Sequence, residues 1–283
     1  AIFFFVVGIE IKRELVTGEL RAPKTAALPA IAALGGMALP ALLFVAVTAG
    51  TEASKGWGIP MATDIAFAVG VLALLGSRIP PPLKLFVLTL AIVDDIGAIV
   101  VIAAFYGDDM SPLWMLGGLA AVLVIVIMRN ARISTPIAYL VPAVALWVST
   151  FESGVHATVA GVILGVLTPA IWPHGDTSPI ERLEHRLHPV ASFVVVPIFA
   201  LANAGVSVGV RDLGDAFASR TTWGVIVGLV AGKVAGVTMA AVLAARTGIG
   251  RLPAGVTTRQ ILGVAALAGI GVTVSLFGAE LSF

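Results

Sequence analysis

Apolar residues in this chain come in long runs rather than in alternation with polar ones. Bounded by charges, glycine and proline, the runs mark ten segments, at about 1–11, 26–49, 57–76, 82–106, 112–128, 136–151, 154–172, 189–208, 222–245 and 260–283. Several approach the roughly 20 residues with which an α-helix crosses the hydrocarbon core of a bilayer. The links between them are short. The pattern therefore predicts consecutive antiparallel helices in one bundle, an all-α polytopic membrane protein with a single transmembrane domain over residues 1–283.

Positive charges sort the links into two sets. One set holds Lys12, Arg13, Arg21, Lys24, Arg78, Lys84, Arg129, Arg132, Arg182, Arg186, Arg246, Arg251 and Arg259. The other holds Lys55, Arg211 and Arg220, and Lys233 falls inside a run. Cytoplasmic loops carry the excess of Lys and Arg, so the first set is assigned to the cytoplasm and the ten-segment count is supported.

Composition agrees with this reading. Apolar residues make up 59% and charged ones 12%, against about 25% charged in soluble domains. Mean hydropathy is +1.06. No soluble domain of this size hides that much apolar surface. The absence of cysteine leaves no disulfide and no thiolate metal site, and a net charge of +1 points to no nucleic-acid partner. Ala1 and Phe283 both lie against apolar runs, so the chain looks cut inside a helix at its start and short of a polar tail at its end.

Few ions remain at membrane depth: Asp64, Asp94, Asp95, Lys233 and, near the end of the last run, Glu280. An aspartate at the centre of a membrane helix costs roughly 3 kcal/mol on lenient insertion scales. Asp94 and Asp95 stand side by side, and like charges in a dry place cannot both ionise easily. They read either as a structural polar pair or as a cation and proton site. Two carboxylates offer hard oxygen ligands for an alkali or alkaline-earth cation, and protons compete for the same oxygens.

Two runs are interrupted. Gly58–Asp64 contains Pro60, which lacks a backbone donor and disfavours regular helix just before it. Gly269–Thr273 carries Gly269 and Gly271. Paired interruptions far apart in sequence mark broken helices at a transporter's binding site. There an aspartate such as Asp64 can offset a positive half-helix end, and a lysine such as Lys233 a negative one. The glycines also fit plain close packing. Thr63 reads as a neutral cation ligand or as a bond to its own helix. Lys233 lies about 11 residues into its run, too deep to snorkel easily, so a buried partner is expected.

Three further places carry titratable groups. His156 follows Gly154 near the start of a helix and reads as a hydrogen-bonded structural residue or a pH sensor. Glu184, His185 and His188 lie in the polar run Glu181–Pro189, while Glu10, Lys12, Arg13 and Glu14 form a second cluster on the same side. Each reads as an ordinary solvated helix end unless the two meet in space.

At these residues the chain resembles a known family. Val7-Gly8-Ile9-Glu10-Ile11-Lys12-Arg13-Glu14-Leu15, Ala62-Thr63-Asp64-Ile65-Ala66-Phe67-Ala68, Asp94-Asp95-Ile96-Gly97-Ala98, Ser153-Gly154-Val155-His156-Ala157-Thr158, Leu183-Glu184-His185-Arg186-Leu187-His188-Pro189 and Ala202-Asn203-Ala204-Gly205-Val206 are similar, in order and along the whole chain, to the NhaA-type sodium/proton antiporters. That family is itself an example of the paired-break pattern, so the two readings are not independent. The resemblance implies a twelve-helix bundle with inverted repeats and two crossed, interrupted helices, here 57–76 and 260–283. About ten of the twelve would be present, the first and last being absent. It implies a bacterial inner-membrane protein exchanging Na+ (or Li+) for H+, with no cofactor and with a homodimer compatible.

Residue by residue, the resemblance makes Asp94 and Asp95 the sodium and proton site, and Lys233 the lysine that pairs with one aspartate or balances the helix dipoles. Of the two acids, Asp94 is expected to pair with Lys233 and Asp95 to be the primary sodium ligand. Thr63 and Asp64 become the interrupted-helix residues beside them. Glu10, Arg13, Glu14, Glu184, His185 and His188, with His156 less directly, become the groups of a pH response. The expected function is electrogenic antiport, active as cytoplasmic pH rises. Three rivals differ in class. An intramembrane aspartyl protease would pair Asp64 with Asp94, though Thr-Asp and Val-Asp-Asp depart from the Tyr-Asp and Gly-x-Gly-Asp pattern of those enzymes. The others are a sodium-coupled symporter and a passive cation channel.

Overall fold

The computed structural model describes residues 1–107, 110–133, 135–169, 179–203, 214, 216–253, 255–271, 275–276, 278–279 and 282. The regular elements among them are all helical. In chain order they include α1 (Ile2–Val16), α2 (Pro23–Thr48), a 3-10 helix (Glu52–Met61), α3 (Ile65–Leu75), α4 (Pro81–Phe105) and α5 (Pro112–Asn130). Then come α6 (Leu140–Glu152), α7 (Thr158–Leu167), α8 (Pro179–Val190), α9 (Val196–Asn203), α10 (Arg220–Ile226), α11 (Lys233–Arg246) and α12 (Thr258–Ala268). Four stretches among the described residues are long and apolar enough to cross a membrane: Thr25–Thr48, Pro81–Phe105, Pro112–Asn130 and Arg220–Arg246.

Local chemistry explains where the helices start and stop. Pro23 and Pro112 open α2 and α5, at a position where a missing N–H costs nothing. Thr257 and Gln260 cap α12 reciprocally, each side chain bonding the other's backbone N–H. α7 starts at Thr158, four residues later than the pattern predicts. Gly154 turns the chain there with φ +81, a conformation that suits glycine at a helix end.

Two π turns interrupt otherwise regular helix. Ala191–Val195 follows Pro189, which removes a backbone bond from the turn before it. Val227–Gly232 joins α10 to α11, so the predicted helix 222–245 is one rod with a wide turn in it.

The chain groups into two compact units. In the first, residues 1–18 and 99–199, α1 packs along α7 and α5 along α6. Ala121, Ile125, Leu146 and Ala160 form a small core there.

The second unit, residues 19–98 and 200–283, has its core around Leu28, Phe86, Leu90, Val237 and Ile261. Its tightest contact joins α2 to α11. A Cβ on Gly236 would lie 2.2 Å from the Gly35 carbonyl oxygen, and one on Gly35 would lie 2.5 Å from that of Gly236. The backbones touch, as small residues allow in membrane helices.

This contact predicts the effect of two substitutions. Gly236→Ala forces α2 and α11 apart and should destabilise the protein by about 1–3 kcal/mol, the usual cost of overpacking. Gly263→Ala in α12, where a Cβ meets nothing within 4 Å, should be neutral or stabilising. Thermal unfolding in detergent separates the two; equal midpoints would contradict the packing argument.

Candidate functional site

The site lies within the second unit, where two breaks in helical structure meet. The 3-10 helix Glu52–Met61 ends at Met61, and Ala62 is extended, with φ −86 and ψ 148. α3 begins after Asp64, which caps it: the carboxylate accepts the Phe67 N–H at 3.2 Å. The break thus falls inside the Gly58–Asp64 stretch, and the residues before Pro60 are 3-10 rather than α-helical, as proline there disfavours regular helix. The side-chain partners of Thr63 and Asp64 then fix where the next helix begins.

The second break follows α12. Gly269 ends that helix with φ −71, and Ile270 and Gly271 are not helical. Val272 and Thr273, and likewise Glu280, lie outside the described residues. Neither glycine needs left-handed backbone. Both permit close approach: a Cβ on Gly271 would lie 2.5 Å from the Ala62 carbonyl oxygen, and one on Gly269 2.7 Å from that of Leu229. The packing reading of these glycines therefore holds at both positions, and it is this packing that lets the breaks touch.

The two breaks satisfy each other's backbone. The Asp64 N–H donates to the Ile270 carbonyl at 2.7 Å. The Thr63 hydroxyl lies 2.9 Å from the Ala268 carbonyl oxygen and 2.5 Å from Asp94 Oδ2. One hydroxyl proton faces two acceptors, so it donates to one of them at a time.

Lys233, the first residue of α11 after the π turn, completes the set. Its Nζ donates to Asp94 Oδ2 at 2.6 Å and to the Met61 carbonyl. Lysine and aspartate are both fully buried. The expected partner of Lys233 is therefore Asp94, and its second partner is the last carbonyl of the broken 3-10 helix. Asp95 is 7% exposed and acts on the same ammonium electrostatically.

Thr63 is bonded to Asp94, whereas the expectation set it beside a cation on Asp95. Asp94 Oδ1 is buried and has no hydrogen-bond partner among the described residues. Two carboxylates thus stand near one ammonium, with an Asp94 oxygen to spare. No three acidic or histidine side chains among the described residues converge as a metal-holding group. A cation here would take one or two carboxylates together with neutral oxygens. Sequence reasoning missed the carbonyls of Met61, Ala268 and Ile270, because a backbone oxygen has no residue signature.

The first unit holds the second cluster. Arg13 Nη1 of α1 donates to Glu184 Oε1 of α8, and Arg13 Nη2 lies 3.7 Å from Glu14 Oε1. Glu10 is within electrostatic reach of Glu184, Arg13 and Glu14. The two polar segments that the sequence left separate thus meet. His185 and His188 are on α8 and exposed. His156 is elsewhere, with Nδ1 3.0 Å from Thr158 Oγ1 at the start of α7.

A buried carboxylate–ammonium pair between two broken helical segments is the equipment of an ion transporter. Comparison with known proteins narrows the class. The Na+/H+ antiporter 1 family model matches residues 1–283. The chain is 46% identical over 284 residues to the Na(+)/H(+) antiporter NhaA of Aliivibrio salmonicida, covering 100% of this chain and 74% of that protein. It is 46% identical over 314 residues to NhaA 3 of Frankia alni (100% and 68%), and 47% identical over 284 residues to NhaA 2 of Novosphingobium aromaticivorans (100% and 72%). The chain belongs to the NhaA Na+/H+ antiporter family. It is a multi-pass membrane transporter and not an enzyme, which removes the protease rival.

The geometry predicts a strong coupling between Lys233 and Asp94. Asp94→Asn leaves a buried ammonium without its counter-charge and should cost about 3–5 kcal/mol. Asp94→Asn combined with Lys233→Met should recover a large part of that loss. Thermal unfolding of the single and double variants measures the coupling, and strictly additive losses would mean the two do not interact.

Proposed function

We propose that this protein exports Na+, or Li+, in exchange for H+ by alternating access across a bacterial inner membrane. The observation that carries the reading is the spare, buried Oδ1 of Asp94 beside Asp95, in a group of two acids acting on one buried base. Sodium is a hard cation and takes oxygen ligands. Asp95 is its primary ligand, with Asp94 and Thr63 supplying further oxygens.

Sodium and protons compete for these carboxylates, so one displaces the other whenever the site is exposed to a new side. Asp95 and the Asp94–Lys233 pair both hold protons that sodium entry releases. Two proton-holding groups against one monovalent ion move net charge in each cycle, which makes exchange electrogenic. The two interrupted segments belong to crossed helices in an inverted-repeat bundle, and residues 1–283 form one transport domain. Homodimers are compatible with this arrangement.

The decisive measurement is sodium-induced collapse of a pH gradient in proteoliposomes holding the full-length protein. Wild type should dissipate the gradient with sodium and with lithium, faster as pH rises. Asp95→Asn should abolish the response while still folding. A normal rate in that variant would overturn the site assignment. Flux of an organic solute with sodium would favour the symporter, and sodium current without proton movement the channel.

We assign the Glu10–Arg13–Glu14–Glu184 cluster, with His185 and His188 beside it and His156 less directly, to pH control. The Arg13–Glu184 contact between α1 and α8 supports this, because it joins two helices through groups whose pairing depends on charge. Glu184→Gln should shift the pH of half-maximal activity by about half a unit or more. The alkaline maximal rate should stay within about twofold of wild type. An unchanged pH profile would remove the cluster from the mechanism.

A further inference from the structure

Buried hydroxyls in membrane helices usually satisfy themselves on their own helix, by bonding the carbonyl one turn back. Several here do so: Thr48 bonds the Phe44 carbonyl, Thr89 that of Leu85 and Thr150 that of Leu146. Ser275 departs from this habit. Its side chain is buried, and its hydroxyl donates at 2.9 Å to the Ile59 carbonyl, 216 residues away in sequence. Thr63 makes the comparable long reach in the opposite direction, across 205 residues to the Ala268 carbonyl.

The target of Ser275 matters more than its distance. Ile59, Pro60 and Met61 form the last turn of the 3-10 helix, whose final carbonyls have little helix left to bond them. Lys233 takes the carbonyl of Met61, and Ser275 takes that of Ile59, two residues earlier. Gly278, three residues after Ser275, lies flat against the same residue, since a Cβ there would be 3.4 Å from the Ile59 Cα. Ser275 thus grips the turn that presents the Met61 carbonyl to the buried ammonium.

We infer that Ser275 is a positioning residue for the ion site. It holds the Ile59–Met61 turn in register, so that Lys233 divides its hydrogen bonds between Met61 and Asp94. Without that bond the turn drifts, Lys233 follows the Met61 carbonyl less faithfully, and the carboxylate geometry offered to sodium changes. The inference rests on the exchange function proposed above, because it assigns Ser275 to the affinity of that same site.

The test uses the full-length protein with Ser275→Ala, Ser275→Thr and Ser275→Cys. Sodium affinity is read from sodium-dependent thermal stabilisation in detergent, and transport from gradient collapse in proteoliposomes. Ser275→Ala should raise both the apparent sodium Kd and KM several-fold. Its kcat should stay within about twofold of wild type. Ser275→Thr, which keeps the hydroxyl, should restore affinity. Ser275→Cys, a weak donor of similar size, should fall between and serves if the alanine variant does not fold.

An alanine variant with wild-type sodium affinity overturns the inference. So does a threonine variant as weak as the alanine one, or a fall in thermal midpoint with no change in affinity. A wild-type protein that binds sodium without moving protons overturns the exchange reading instead. In that case the binding arm still decides the role of Ser275.

Discussion

A bilayer interior supplies no water to a broken helix, so each backbone group freed by a break must find a partner inside the protein. In the second unit each break finds partners in the other, and Lys233 of α11 supplies one more. The Asp64 N–H serves the Ile270 carbonyl, the Thr63 hydroxyl faces that of Ala268, and Lys233 serves that of Met61. Neither break could stand alone at this depth. Polar groups are tolerated there because they answer backbone needs as well as one another. That leaves a cluster of oxygens in a place otherwise made of alanine, leucine and valine.

The pair at the centre has little to do with stability for its own sake. Burying a lysine and an aspartate costs desolvation that their attraction only offsets when the remaining bonds are good, and an apolar replacement of equal volume often does as well. The surroundings are nevertheless shaped to keep the pair. Gly35 and Gly236 bring α2 and α11 into backbone contact, and Gly232, just before Lys233, would place a Cβ 2.8 Å from the Pro40 Cα. The π turn Val227–Gly232 comes immediately before the lysine. This packing seats residue 233 at close quarters with α2.

Much of this was legible from charge and pattern, and the rest was hidden for identifiable reasons. Asp94, Asp95, Asp64 and Lys233 stood out because ions are rare in apolar runs. The family resemblance left Lys233 either pairing with one aspartate or balancing helix dipoles, of which the structure shows the pairing with Asp94. The break near Pro60 was legible within the stretch Gly58–Asp64, though proline marks only where a helix is weak and tertiary partners decide the residue at which it ends. The π turn was invisible because Val227–Gly232 has the composition of any membrane helix. The meeting of Arg13 with Glu184 spans 171 residues and could not be read from either segment alone.

Adjacency itself gives the two aspartates different work. On an α-helix of 3.6 residues per turn, consecutive side chains point about 100° apart. Asp94 therefore meets Lys233 and Thr63 through one oxygen, while Asp95 leaves the helix in another direction and acts electrostatically on the same ammonium. Oδ1 of Asp94, beside Asp95, is left without a hydrogen bond among the described residues. In the exchange proposed above, a cation settling on Asp95 and drawn to that oxygen would compete with Lys233 for the same carboxylate. Binding at one aspartate would then loosen the ion pair of the other, and the proton balance of Lys233 would belong to sodium binding rather than to a separate event.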